Sequence, residues 1–194
     1  MKKLGTRFGV LAAVTMFLAA CGLIQIPVSL PIGEWFASSG STISGGTGPD
    51  GVFSATESGI QIPSDDLQAF SRGGVTLSGL SISGGSVAPS TALQGAIVAS
   101  VPTTLEIKVF VGATTADTLL AEVEIGITDG STLDPSRVEV VDQSTFDDAI
   151  AIIKANDTIT AKVEIRVLDE SGAAMANYDF TIEGLSLDLT VAPI

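Results

Sequence analysis

The chain has 194 residues, 22 acidic against nine basic side chains, a net charge of −13, no histidine and one cysteine. This acidic balance disfavours nucleic-acid binding, which depends on basic contacts, and the lack of histidine removes the Ser-His-Asp triad and most zinc sites. With a single cysteine, no disulfide can form within the chain. We therefore expect a protein that is not an enzyme and that holds no cofactor.

The first 18 residues combine a basic leader with a short apolar run. Lys2, Lys3 and Arg7 precede the run, which extends over residues 8–18 with Thr15 as its polar interruption. As a helix this run would span about 16 Å, too short for the ~30 Å hydrocarbon core of a bilayer. The pattern predicts a signal peptide over residues 1–20 rather than a transmembrane helix.

The apolar run ends in Leu18-Ala19-Ala20-Cys21, which resembles the lipobox of bacterial lipoproteins. The resemblance implies cleavage before Cys21, lipid attachment to its thiol and acylation (palmitate or a similar chain) of the new amino group. Two or three acyl chains anchor a protein firmly, whereas one chain binds marginally. Gly22 stands where an inner-membrane retention signal would place Asp. The resemblance therefore implies an exported protein anchored in the cell membrane, or in the outer membrane where the host has two.

Residues 21–51 are expected to form a lipidated N-terminus and a tether. Pro27 and Pro31 punctuate an apolar stretch and favour extended backbone, and Trp35 follows them. Two interpretations of this stretch stay open: a collar at the membrane surface with Trp35 among the headgroups, or a first strand packed on the domain. The next residues, 38–49, are dense in Ser and Gly, which is typical of a flexible linker.

Residues 52–194 have the pattern of a β domain. Runs of Val, Ile, Leu and Thr alternate with polar residues and are bounded by Gly, Pro, Asp and Ser. In the strand 159–168, the alternation assigns Val163 and every second residue from it to the inner face, and Lys162 to the outer face. The predicted strands are 52–62 (one strand or a pair), 75–83, 91–101, 105–111, 120–128, 137–141, 159–168 and 178–191.

One convincing helix is predicted over residues 144–155. Asp147 and Asp148 favour the positive end of its dipole, and Ser144 or Thr145 can cap it. Its apolar residues fall on one stripe, as in a helix packed on a core. These residues are Phe146, Ala149, Ile150 and Ile153.

The last two strands have a short separation and periodic apolar faces. They predict an antiparallel hairpin across the loop at Gly172. Within the last strand the apolar parity changes at Gly184, as it does at Gly79 in the similar segment 75–82. A shift of one residue at glycine is what a β-bulge produces, so a bulge is expected at Gly184.

About seven short strands and one helix resemble an immunoglobulin-like β-sandwich in architecture. The disulfide and the core tryptophan of true immunoglobulin domains are missing. The resemblance therefore implies a mainly β, antiparallel sandwich over residues 52–194 and nothing about function, because one architecture serves many functions.

Acidic residues near predicted turns are the candidate calcium ligands. The spacing from Asp129 to Asp134 lacks the oxygen-ligand pattern of a known calcium loop, which favours solvated turn and cap carboxylates and no metal site. The acidic residues considered are Asp129, Asp134, Asp142, Asp147 and Asp148.

A Ser-Lys catalytic pair would need one of three lysines. Lys108 and Lys162 lie on outward strand faces, and Lys154 near a helix end interacts favourably with the dipole, so the pattern gives no catalytic residue. Tyr178, at the start of a strand, is interpreted as structural. No binding residue is assigned.

These observations predict a non-catalytic, lipid-anchored cell-envelope protein that presents a β-sandwich as a structural or protein-binding module. The alternative is a ligand-carrying lipoprotein with an apolar pocket between the sheets. The expected partners are the membrane, through lipid at Cys21, and an envelope protein of unknown identity; nucleic acid is not expected.

Overall fold

The computed structural model describes residues 26–37, 40–61, 73–91, 101–140 and 144–193. The signal peptide and Cys21 lie outside the described residues. Within these ranges the helices are α1 (Gly33–Phe36) and α2 (Ser144–Ala155). The strands are β1 (Ile26–Leu30), β2 (Thr42–Gly46), β3 (Val52–Gln61), β4 (Gly73–Ser81), β5 (Gly84–Pro89), β6 (Pro102–Gly112), β7 (Thr118–Thr128), β8 (Thr132–Val140), β9 (Thr158–Asp169), β10 (Tyr178–Glu183) and β11 (Ser186–Pro193).

The strands form two antiparallel sheets around one apolar core. The three-stranded sheet has the order β1-β11-β4, and the eight-stranded sheet has the order β2-β10-β5-β8-β7-β6-β9-β3. The predicted fold class, a mainly β antiparallel sandwich, is confirmed, and the described residues contain two helices where one short helix was predicted. The described strands outnumber the seven of an immunoglobulin constant domain, so the likeness to that fold is one of two-layer architecture.

The inner faces follow directly from the alternation of apolar residues. Successive side chains of a strand point to opposite faces, so every second residue of β6 and β9 reaches the core. Ile107, Val109, Val163 and Ile165 are fully buried, whereas Lys162, which precedes Val163 in β9, is only half-buried. The predicted inner and outer faces of these strands are therefore confirmed.

Helix α2 has the bounds predicted from the sequence. Its apolar stripe packs against β6 and β7 and joins the core. The amide Nδ2 of Asn156 donates a hydrogen bond of 2.8 Å to the backbone oxygen of Ile152. This bond satisfies one carbonyl of the last turn, which otherwise has no partner within a helix.

The tether expected over residues 21–51 is wrong for the described residues 26–37 and 40–51. Strand β1 pairs with β11, and β2 pairs with β10. Leu30 and Ile32 are 4% and 0% exposed, and Trp35 packs against the core. Of the two interpretations of the apolar stretch, the strand packed on the domain is confirmed.

Gly45 of β2 allows close packing of its neighbours. For this reason the strand has the Gly-rich composition that is typical of a linker. A Cβ atom on Gly45 would lie 2.5 Å from Cε2 of Phe53 and 3.1 Å from Cζ of Phe180. The Phe53 and Phe180 rings meet edge to face, with centroids 5.1 Å apart. Only a residue without a side chain leaves room for this aromatic pair, which joins β3 to β10.

The predicted hairpin between the last two long strands is wrong. Strand β9 is hydrogen-bonded to β6 on one side and to β3 on the other, and β10 is hydrogen-bonded to β2 and β5. Each strand has two neighbours already, so β9 and β10 cannot pair with each other. In the segment that connects the two strands, Ala174 forms an isolated bridge with Leu168 of β9.

The predicted strand 178–191 is two strands that meet at a corner. Strand β10 belongs to the eight-stranded sheet and β11 to the three-stranded sheet. At the break, Gly184 has a φ of +62°, and a Cβ atom there would lie 2.6 Å from Oγ of Ser83. Both Ile182 and Leu185 are fully buried, so the change of parity is confirmed. A turn between sheets, and not a bulge, produces it.

The corner is double, because β4 and β5 change sheets beside β10 and β11. Residues 73–89 run antiparallel to residues 178–193, with Tyr178 opposite Pro89 and Pro193 opposite Gly73. A bulge does occur in the similar segment, where the register shifts at Ser78 and Gly79 of β4. The two segments of similar sequence therefore change the parity of their buried residues in different ways: β4 contains a bulge, and the chain between β10 and β11 turns from one sheet to the other.

Other strands differ from prediction mainly at their ends. Of the predicted strand 52–62, residues 52–61 form the single strand β3, and of the predicted strand 137–141, residues 137–140 fall within the longer β8; residues 62 and 141 lie outside the described residues. Strand β5 was not predicted, because its Gly-Gly start resembles a turn. Most of the predicted strand 91–101, namely residues 92–100, lies outside the described residues.

Candidate functional site

The outer face of the eight-stranded sheet carries a network of ion pairs, here called the charged face. Lys108 Nζ lies 2.9 Å from Glu122 Oε1 on β7 and 3.3 Å from Glu106 Oε1 on its own strand. Arg166 on β9 reaches the other oxygen of Glu106 at 3.5 Å. The six residues of the charged face are Glu106, Lys108, Glu122, Lys162, Glu164 and Arg166.

The register of the strands creates this network. Because Lys108 lies opposite Glu122 on β7 and opposite Glu164 on β9, side chains of opposite charge meet across both ladders of β6. Glu106 is only 8% exposed, so its carboxylate needs both of its cationic partners.

Lys108 is held in its charged form. Burial alone would lower its pKa, but the hydrogen bond to Glu122 and the charges of Glu106 and Glu122 outweigh burial and raise the pKa above its ordinary value. At neutral pH the amine is therefore protonated. It cannot act as the base or nucleophile of a Ser-Lys pair, which requires a neutral amine.

Lys162 is also engaged. Its Nζ lies 3.1 Å from Glu164 Oε1 and 4.3 Å from the centroid of the Phe110 ring, which is a cation–π contact. The remaining candidate, Lys154, is exposed in the last turn of α2. The predicted positions of all three lysines, two on outward strand faces and one at a helix end, are confirmed.

The candidate calcium ligands do not meet in one place among the described residues. Asp129 is exposed in the turn between β7 and β8, Asp134 lies within β8, and Asp147 and Asp148 are exposed on α2. Asp142 lies outside the described residues. The described part of the chain contains no group of three acidic side chains that could hold a metal ion.

Tyr178 joins the start of β10 to the end of β2. It is 2% exposed, and burial raises the pKa of its phenol. Its backbone N–H donates to Oγ1 of Thr47 at 3.0 Å, and that hydroxyl donates to the Met175 oxygen at 2.9 Å. Its structural position at a strand start is as predicted. Thr47 was missed, because it lay inside the expected linker.

The outer face of the three-stranded sheet is different in kind and is here called the hydroxyl face. Its residues are Ser29, Thr76, Ser78, Asp188 and Thr190. Ser29 donates to Oδ1 of Asp188 at 2.9 Å, and the hydroxyls of Ser78 and Thr190 are 2.6 Å apart. The sequence signal for this surface is the absence of charged residues from position 73 to position 105.

Comparison with known proteins adds no family. No protein-family model matches the chain, and no curated protein matches it. Two solved structures, of the Gt and Gx strains of infectious bursal disease virus, are similar at 15% identity with TM-scores of 0.33 and 0.30. Each match covers 87% of this chain and 33% of the viral chain, so the chain spans one third of those proteins. At these TM-scores the likeness supports no argument about function.

Of the helices in the described part of the chain, neither has the length and apolar character needed to cross a membrane.

Proposed function

We propose that the protein is a non-catalytic, lipid-anchored envelope protein whose β-sandwich serves as a structural or protein-binding module. The observation that carries this proposal is the close packing of the described inner faces of the two sheets. A cavity that admits even one water molecule leaves accessible surface on the atoms that line it. Many of the described inner side chains have none. Fully buried residues from both sheets include Leu105, Ile107, Val163, Ile165, Ile182 and Leu187.

This packing gives no support to the alternative, a carrier with an apolar pocket between the sheets. A ligand pocket for a small molecule has a volume of roughly 300–1,000 Å³ and remains largely formed without its ligand. The fully buried inner side chains offer no surface to such a pocket, and α2 covers β6 and β7 with Phe146 and Ile153, which are 0% and 1% exposed.

The non-catalytic part of the proposal is supported by the state of the ionisable groups. Lys108 and Lys162 are engaged with carboxylates, and the chain has no histidine to act as a general base. The described charges thus serve the surface of the sheet instead of converging on one reacting atom.

The anchor is tested at Cys21. In wild-type protein, mass spectrometry of the N-terminal peptide should show cleavage before Cys21 and acyl groups on the thiol and the amine. Cys21→Ala should remain an uncleaved precursor or appear in the soluble fraction. An N-terminal peptide that carries no acyl group, or equal fatty-acid labelling of both proteins, contradicts the proposal.

The module is distinguished from the carrier by native mass spectrometry of the full-length protein in detergent. We expect the mass of the processed chain with its acyl groups and nothing else. A stoichiometric apolar molecule that is retained after purification would favour the carrier. For the module, crosslinking in the native envelope should give a discrete protein product.

A further inference from the structure

The anchoring cysteine is close to the first strand. Only residues 22–25 separate Cys21 from Ile26, the first residue of β1. A fully extended chain advances at most about 3.6 Å per residue, so the Cα atoms of Cys21 and Ile26 are within about 18 Å of each other. An acylated cysteine lies at the membrane interface. With an acylated Cys21, the start of β1 would therefore lie near the headgroups, a closeness that a tether of 31 residues would not impose.

At one end of the three-stranded sheet, the start of β1, the end of β11 and the start of β4 lie side by side. Ile26 of β1 lies opposite Val191 of β11, and Pro193 of β11 lies opposite Gly73 of β4. No residue in the ranges 26–33, 73–105 and 189–193 is charged. Uncharged residues thus form the end of the sheet that the anchor would hold near the membrane.

Charge divides the molecule into two sides. Of all residues in β1, β4 and β11, only Asp188 is charged, although the chain has 22 acidic residues. Lipid surfaces that carry anionic headgroups repel acidic protein surfaces. The three acidic and three basic side chains of the charged face cancel, but Glu124 on β7 and Asp179 and Glu183 on β10 also occupy outward positions, so the outer face of the eight-stranded sheet is the more negative. Of the two outer faces, the hydroxyl face therefore meets less repulsion.

The chemistry of the hydroxyl face suits contact with headgroups and not insertion into hydrocarbon. Ser29, Thr76 and Ser78 are exposed. Hydroxyls both donate and accept hydrogen bonds, and phosphate and ester oxygens of lipids are acceptors. A face without large apolar side chains gains nothing by entering the acyl region.

We propose that the hydroxyl face of the three-stranded sheet lies against the lipid headgroups and that the charged face of the eight-stranded sheet points away from the membrane. This inference rests on the proposed acylation of Cys21. It assigns the charged face and β3 as the side that is available to other envelope components.

The test compares two exposed strand threonines, each replaced by cysteine in the full-length acylated protein. Thr76 belongs to the hydroxyl face, and Thr56 lies on β3 opposite Lys162, on the side of the charged face. Because the Cys21 thiol is blocked by lipid, each variant has one thiol for a fluorophore. In phosphatidylethanolamine–phosphatidylglycerol vesicles with a quencher on the headgroups, we expect quenching several-fold stronger at position 76 than at position 56.

A linker gives the second arm. Twelve Gly and Ser residues inserted after Gly22 relax the restraint, and the contrast should shrink. A contrast that survives the linker also supports the inference, because the hydroxyl face then holds the membrane by its own affinity. Equal quenching at the two positions, or stronger quenching at position 56, overturns the orientation while an acylated Cys21 peptide upholds the anchor. An unacylated Cys21 overturns both.

Discussion

The two sheets bury the same kind of inner face and present opposite kinds of outer face. Val163 in the eight-stranded sheet and Leu187 in the three-stranded sheet are both fully buried in one core. Outside, the charged face holds six charged side chains in two groups of ion pairs, whereas the hydroxyl face holds Asp188 and four hydroxyls.

Burial of the inner faces determines the fold, and the outer faces are free to carry different chemistry. Exposed ion pairs contribute about 0–1 kcal/mol each, far less than the roughly 1.5–3 kcal/mol from burying one large aliphatic side chain. Either outer chemistry is therefore compatible with the same sandwich. What separates the two sides is the surface that each offers to a membrane or a partner.

The largest expected effect tests the shared core. Val163→Asp and Leu187→Asp each place an unpaired carboxylate among fully buried side chains. We expect both variants to unfold, because such a burial costs about 4 kcal/mol or more and total stabilities are about 5–15 kcal/mol. Circular dichroism and urea melts on residues 22–194, which retain every described strand, provide the measurement.

The control for these variants lies on the outer face of β9. Lys162→Asp loses the ion pair with Glu164 and the contact with the Phe110 ring, which together amount to about 1–2 kcal/mol. The variant should stay folded. If Leu187→Asp were as stable as the control, the three-stranded sheet would not share the core of the larger sheet.

The second prediction concerns where the eight-stranded sheet begins. Gly45→Ala should destabilise the protein by about 2 kcal/mol, because its Cβ would overlap the Phe53 ring and overpacking costs about 1–3 kcal/mol. Gly84→Ala is the matched control, since its Cβ would meet only Glu183 Oε2 at 3.6 Å. Urea melts should separate the two variants clearly. Equal stability would mean that β2 behaves as the flexible linker that its composition suggests.

The sequence was sufficient wherever a local pattern determines local structure. The period of two in β6, β7 and β9 and the stripe of α2 specify which side chains face the core. The alternation also placed Lys108 and Lys162 on an outer face. These features depend on residues within one strand or helix, so no knowledge of neighbours was needed.

The sequence was insufficient where structure depends on distant neighbours. Gly45 is small because Phe53 and Phe180 approach it, which composition cannot reveal, so β2 looked like a linker. The change of parity at Gly184 indicated that the chain shifts there, but a bulge and a corner produce the same pattern. The hairpin of β9 and β10 failed because closeness in sequence does not determine which strands pair.

A smaller effect should distinguish the two outer faces. Glu106→Gln removes the charge that Lys108 and Arg166 share, and we expect a loss of about 1 kcal/mol because the carboxylate is buried between them. Asp188→Asn keeps an acceptor for the Ser29 hydroxyl and should change stability by less than about 0.5 kcal/mol. Urea melts at low salt should show a larger loss of stability for Glu106→Gln than for Asp188→Asn. A larger loss for Asp188→Asn would reverse the assignment of the two faces.

The smallest effect is the dependence of the charged face on pH. The folded protein raises the pKa of Lys108 above its ordinary value of 10.5, so the unfolded chain releases this proton first as the pH rises. The stabilisation is therefore fully present below pH 10.5 and is lost as the pH rises through the folded pKa. Burial of the Tyr178 phenol also raises its pKa. The free energy of unfolding therefore falls above the ordinary value of 10.0, where the tyrosine of the unfolded chain ionises first.

Lys108→Met isolates the lysine, because Tyr178 is present in both proteins and its contribution cancels in the difference. The unfolding free energy of wild type minus that of Lys108→Met should be constant from about pH 7 to 9.5 and should shrink above the ordinary lysine pKa of 10.5. Urea melts in steps of half a pH unit measure this difference. A difference that stayed constant or grew through this range would show that Glu106 and Glu122 do not hold the Lys108 charge, and the network of the charged face would lose its central ion pair.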